Sequence, residues 1–164
     1  MRRRAVYKEQ RETMLRHALD IVHETRSRKL FLFLDTVQEY RWFLRSGFAG
    51  NAAIVLVLPK EAGSDEAAIK NCPRETIWSW SGNQTRFSRI KYAFLHGVLQ
   101  GIIEDTSRVV CVLGPAGKSH IDTITIHDLA LSWSEEFPFE VRSLIQNRAF
   151  STVMAVVDIA LDIG

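Results

Sequence analysis

Two rhythms of apolar and polar residues run along this chain, and the changes between them mark its elements. From Val6 to about Arg26, Tyr7, Met14, Leu15, Ala18, Leu19, Ile21 and Val22 recur among arginines, glutamates and histidines, the stripe of an amphipathic helix. Leu30 to Leu34 is a continuous apolar run of strand length. Directly after it, Thr36 and Glu39 stand three apart as a capping box, opening a second helix from Thr36 to about Ser46 that Gly47 ends. Ala53 to Leu58 repeats the buried-strand run, and Pro59 stops it. A polar stretch with a short helix at Ser64 to Lys70 follows, then a shorter strand at Thr76 to Trp80 before the Ser81-Gly82-Asn83 turn.

Phe87, Ile90, Phe94, Val98 and Ile102 sit at helical spacing from Phe87 to about Glu104, with Gly97 and Gly101 one turn apart to admit a close neighbour. Arg108 to Leu113 is a fourth strand, Gly114-Pro115-Ala116-Gly117 a turn, and Ile121 to Ile126 alternates apolar with polar, as a strand with one open face does. Strands apolar on both faces belong in a parallel sheet covered by helices. The expectation is an α/β three-layer sandwich: a mostly parallel five-stranded sheet with Leu30–Leu34 beside Val109–Leu113 and an antiparallel last strand, about Ile121 to Asp128. A linker-like stretch from Ser132 to Pro138 then leads to helices at about Pro138 to Gln146 and Ser151 to Ile163. The division is an α/β domain over 1–131 and a linker with helices over 132–164.

At 164 residues the chain is one domain's worth, long enough to bury a core without staples. The net charge of +2 is too small to imply nucleic acid as a partner of the whole surface. Residues 1–29 carry net +5 and the rest net −3, and Arg2-Arg3-Arg4 reads as the solvated start of a mixed-charge helix. The longest apolar runs fall far short of the roughly 20 residues that span a bilayer. With no apolar signal segment at the N-terminus and only Cys72 and Cys111, the sequence points to reducing cytoplasm and two free thiols.

Candidate chemistry is sparse. Gly114-Pro115-Ala116-Gly117-Lys118-Ser119 resembles a phosphate-binding loop, but that motif wants glycine at position 112, where Val112 stands, and a helix afterwards rather than a strand. His17, His23, His96, His120 and His127 show no metal spacing, Asp158 and Asp162 read as a solvated helix face, and Trp78 with Trp80 as core packing. No catalytic residues, metal ligands or cofactor are assigned. Ligands of open α/β sheets sit at the carboxyl ends of the parallel strands. That places a small-anion crevice at Thr36, Ser81, Asn83, Gly114, Gly117 and Lys118, with Lys118 its only nearby cation.

Ala18-Leu19-Asp20-Ile21-Val22, Leu30 to Leu34, Ala53 to Pro59, the helix at Phe87 to Glu104 and Val109 to Ile126 with its Gly-containing turn together resemble the C-terminal α/β domain of pyruvate kinase, over about residues 10–128. That family's phosphate-gripping Ser/Thr-rich loop after the first strand is not matched, because Asp35-Thr36-Val37-Gln38-Glu39 stands there, so effector phosphate binding is not carried over. The segment from Phe150 to Gly164 is similar to the helix that opens the diadenylate cyclase (DisA-type) domain in prokaryotic proteins that place a pyruvate-kinase-C-like domain in front of it. The family's Glu-Gly-Arg-Glu-Gly, Asp-Gly-Ala and Arg-His-Arg segments do not occur in these residues.

The resemblances imply a non-catalytic regulatory or oligomerisation domain of a cyclic di-AMP-synthesising protein, itself not an enzyme. Its implied partners are a second copy, the cyclase domain of the same parent and a small anion. The alternative is a stand-alone phosphate- or nucleotide-binding protein or enzyme of the same fold. Val153, Val156, Val157, Ala160, Leu161 and Ile163 give the last helix more apolar surface than one stripe needs, which favours self-association.

Overall fold

The computed structural model describes residues 2–60, 75–79, 85–104, 107–118 and 120–131, with side chains from Glu9 onward. Its elements are α1 (Arg2–Glu24), β1 (Lys29–Phe33), α2 (Val37–Arg45), β2 (Ile54–Pro59), β3 (Thr76–Ser79), α3 (Arg86–Leu99), β4 (Arg108–Leu113) and β5 (Thr123–Asp128). The expected helices at 64–70, 138–146 and 151–163, and with them the domain division at 131/132, lie outside the described residues.

One five-stranded sheet runs β3-β2-β1-β4-β5. The first four strands are parallel, with Leu30 opposite both Ile54 and Val110, and β5 closes the sheet antiparallel to β4, Val110 facing Ile126. The chain is therefore α/β with a mixed sheet, and the two runs expected to be parallel neighbours are.

The continuous apolar runs have a direct cause in the two cores. Leu30, Leu32, Leu34, Ile54, Leu56, Leu58, Val110 and Val112 face one side, where Leu15, Ala18 and Val22 of α1 and Tyr40 and Phe43 of α2 cover them. Phe31, Phe33, Val55, Val57, Val109, Cys111 and Leu113 face the other, under Ile90, Ala93, Phe94 and Leu95 of α3. A strand with both faces covered has no polar positions to spare. In β5 the alternation instead leaves Ile126 half exposed. Trp78 packs against the α1/α2 side, as core packing requires, while Trp80 lies outside the described residues. No helix among the described residues is long and apolar enough to cross a membrane.

Several element ends differ from the sequence reading, for local reasons. α2 stops before Gly47 because Ser46 turns to extended backbone and its hydroxyl donates to the Phe43 carbonyl at 2.6 Å. α3 ends at Leu99 rather than near Glu104. There Gly101, at φ +70°, makes a Schellman cap: Ile102 N–H donates to Gly97 O and Gly101 N–H to Val98 O. Gly101 thus serves the turn and meets no close neighbour, whereas at Gly97 a Cβ would lie 3.0 Å from the Phe31 ring. The last strand begins at Thr123 rather than Ile121.

The same cap ends α1 at Glu24 rather than Arg26, with Ser27 N–H on Val22 O and Arg26 N–H on His23 O, but here the left-handed residue is Arg26, at φ +55°. An L-residue with a Cβ is strained in that region by roughly 1–2 kcal/mol, while glycine is free there but loses more entropy on folding. Arg26→Gly is therefore expected to raise stability by up to about 1 kcal/mol, read as a higher urea midpoint at unchanged slope. A lower midpoint would show that the arginine side chain contributes more than its backbone costs.

Candidate functional site

In a sheet of this order the strand order reverses between the parallel neighbours β1 and β4, and the crevice at their carboxyl ends is where open α/β sheets take ligands. β1 runs into Leu34 and Asp35, and α2 begins two residues later. Thr36 caps that helix: its hydroxyl accepts from Glu39 N–H at 3.2 Å, and Glu39 Oε2 accepts from Thr36 N–H at 3.2 Å and Asp35 N–H at 2.8 Å. The capping box read from the sequence is present, and it commits Thr36 to the helix start rather than to a ligand.

Facing this corner, the first turn of α3 carries Arg89. Its guanidinium pairs with Asp35 Oδ1, donates to the Gly114 carbonyl at 3.2 Å and lies over the Phe33 ring, 5.3 Å from the centroid. The other Asp35 oxygen accepts the Gly117 N–H at 3.2 Å. On the far side, Glu39 Oε1 meets Arg11 of α1 at 3.3 Å, and Arg11 in turn covers Trp42 at 5.6 Å. Arg89, Asp35, Glu39 and Arg11 form a largely buried line of two cations and two anions, joined between the carboxylates by the Asp35 N–H on Glu39, that links the β4–β5 turn, α3, the end of β1, α2 and α1.

Both carboxyls are harder to ionise than in water. Burial pushes Asp35 above the usual carboxylate range, with the Arg89 charge and the Gly117 N–H opposing it. Glu39 is raised for the same reason, with the Asp35 N–H and Arg11 pulling down and the Asp35 charge pushing further up.

Of the six crevice residues expected from the sequence, Thr36, Gly114, Gly117 and Lys118 gather here, and Ser81 and Asn83 lie outside the described residues. Gly114 is fully packed: an added Cβ would sit 1.5 Å from the His120 carbonyl oxygen. Gly117 is at φ +69° in a turn closed by Lys118 N–H on Pro115 O, and Lys118 is exposed. Lys118 is not the only nearby cation, because Arg89 reaches the same crevice from a helix 29 residues earlier in the chain. The signal for Arg89 was a charge in phase with Ala93 and His96 on the buried side of α3; the signal for Asp35 was a carboxylate at the carboxyl end of the central strand.

A second concavity, about 460 Å³, lies between α1 and α2, lined by Glu12, Gln38, Arg41, Trp42, Arg45 and Ser46. No group of three or more His, Cys, Asp or Glu side chains that could hold a metal occurs among the described residues. His96 is buried against Tyr92 and His127 stands edge-on to Phe94, which is packing rather than ligation. Cys111 is a free, fully buried thiol whose ionisation burial suppresses, and Cys72 lies outside the described residues.

The geometry defines an α/β chain with a charged crevice at its switch point, and comparison with known proteins carries it no further. No protein-family model matches the chain, and no curated protein matches it.

Proposed function

We propose that this chain is a non-catalytic regulatory domain of the pyruvate kinase C-terminal type, belonging to a diadenylate cyclase-like protein, in which occupancy of the crevice is felt by α1. The observation that supports this reading is the line of four charges. It ties the Gly114–Lys118 turn to α1 through Asp35, Glu39 and Arg11, so a change at the crevice mouth has a contiguous route to the opposite helix layer. The antiparallel last strand after a Gly-containing turn fits the same fold assignment. With the crevice empty, each carboxylate is engaged by an arginine and by backbone N–H, which leaves neither of them placed as a general base. A small anion is the proposed ligand, and the cyclase domain and a second copy are the proposed partners.

Two measurements test it. The source reading frame beyond Gly164 is expected to continue into a Glu-Gly-Arg-Glu-Gly segment, and the purified chain with ATP and magnesium is expected to yield no cyclic di-AMP. Product above a no-protein control overturns the non-catalytic assignment. A stop codon after Gly164 favours the second reading, a stand-alone phosphate- or nucleotide-binding protein, whose specific support is the exposed Lys118 beside the Gly117 turn.

A further inference from the structure

The donors around Asp35 are those that recognise a free oxyanion: a guanidinium stacked on an aromatic ring, and a backbone N–H left free by its turn. Gly117 contributes that N–H because the turn is closed by its neighbour, Lys118 N–H to Pro115 O. Arg89 cannot swing away, since its second nitrogen is held by the Gly114 carbonyl and its side chain is 8% exposed. The carboxylate seated between them comes from the chain itself. Its backbone is held, between the end of β1 and the first residue of α2, by the Asp35 N–H on Glu39 Oε2, so exchange asks only the Asp35 side chain to turn. The turn it meets is open to solvent at Ala116, Gly117 and Lys118, so a ligand has access.

We propose that Asp35 is the resident anion of an oxyanion site made by the Arg89 guanidinium and the Gly117 N–H, and that a free carboxylate or phosphate enters only by exchange with it. This rests on the reading that the crevice takes a small anion, and deepens it by naming the group that holds the site closed. Exchange breaks two Asp35 contacts and makes two equivalent ones to the ligand, so the Gly114–Lys118 turn loses its tie to the end of β1 when the site fills. The apparent affinity of the wild type is lowered by the small fraction of chains with Asp35 displaced. Lys118, exposed at the turn, supplies a further positive charge for an incoming phosphate.

The test is chemical complementation of the Asp35→Ala chain. Its thermal midpoint is measured in sodium formate against sodium chloride of equal ionic strength, beside wild type and the Asp35→Ala/Arg89→Met double variant. Formate is expected to raise the Asp35→Ala midpoint saturably, at concentrations more than about tenfold below those acting on wild type, and to give no advantage over chloride in the double variant. If Asp35→Ala does not fold in chloride, its refolding yield in formate against chloride reads the same question. An equal response to both salts, in midpoint or in yield, overturns the proposal, as does an equal formate advantage in the double variant. Phosphate and formate titrations of wild type test the exchange itself: complementation of Asp35→Ala without any wild-type response to either anion overturns entry by exchange and leaves Asp35 a purely structural charge.

Discussion

Arg89→Ala is expected to remove about 3–5 kcal/mol of folding stability, the usual loss when one partner of a buried ion pair is deleted. The alanine leaves the Asp35 carboxylate, 13% exposed, without its guanidinium, and the Gly114 carbonyl without its donor. Most of the loss is the uncompensated charge rather than the contact itself, so removing Asp35 as well should restore part of it, and a double-mutant cycle in urea unfolding measures how much. The effect also depends on pH. Burial already raises the Asp35 carboxyl, and deleting Arg89 raises it further. A folded-state value above the unfolded one means that the native state binds more protons across that interval, so stability from this group falls as pH rises through it. The Arg89→Ala penalty should therefore be larger near pH 7 than near pH 4. A penalty under about 1 kcal/mol, independent of pH, would place the pair among weakly contributing surface bridges and remove it from the centre of the crevice.

Gly114→Ala is expected to cost at the upper end of the roughly 1–3 kcal/mol typical of overpacking, or beyond it. The new methyl would meet the backbone of His120, with the carbonyl oxygen at 1.5 Å and its carbon at 2.7 Å, and backbone cannot rotate aside as a side chain can. Relief requires moving the connection between β4 and β5, which also carries the Gly117 N–H on Asp35. Gly117→Ala provides the comparison. A Cβ there meets nothing within 4 Å, leaving only the left-handed φ to penalise it, roughly 1–2 kcal/mol. The ranking, with Gly114 the more sensitive in thermal or urea unfolding, is the diagnostic result, and the reverse order would contradict the close approach.

What could be read from the sequence was set by the range of the interactions involved. Leu30–Leu34 and Val109–Val112 announce two-sided burial in their own composition, and Thr36 with Glu39 announces a helix start within four residues, so the parallel sheet and the start of α2 were legible. The Arg26 turn was not, because the hydrogen bonds of a Schellman cap tolerate arginine without any glycine to mark it. The crevice divided along the same line. Its position follows from the strand ends, but the pairing of Asp35 with Arg89 spans 54 residues and no local spacing encodes it. Thr36 carries both signals at once, a hydroxyl at a strand end and a helix cap, and the cap takes the hydroxyl, while the charge on the buried face of α3 is answered by a carboxylate far away in the chain.

The strand order also governs how the chain emerges during synthesis. β1 lies between β2, which follows within some twenty residues, and β4, whose Val110 pairs with Leu30 eighty residues later. A ribosome adding about 5–20 residues per second leaves several seconds between the emergence of β2 and of β4. Throughout that interval one edge of Lys29–Phe33 has no strand to pair with, and its Leu and Phe side chains lack the neighbours that β4 supplies. The central strand of the finished fold is thus the one left incomplete longest at birth, which makes it the segment where a nascent-chain chaperone would be expected to bind.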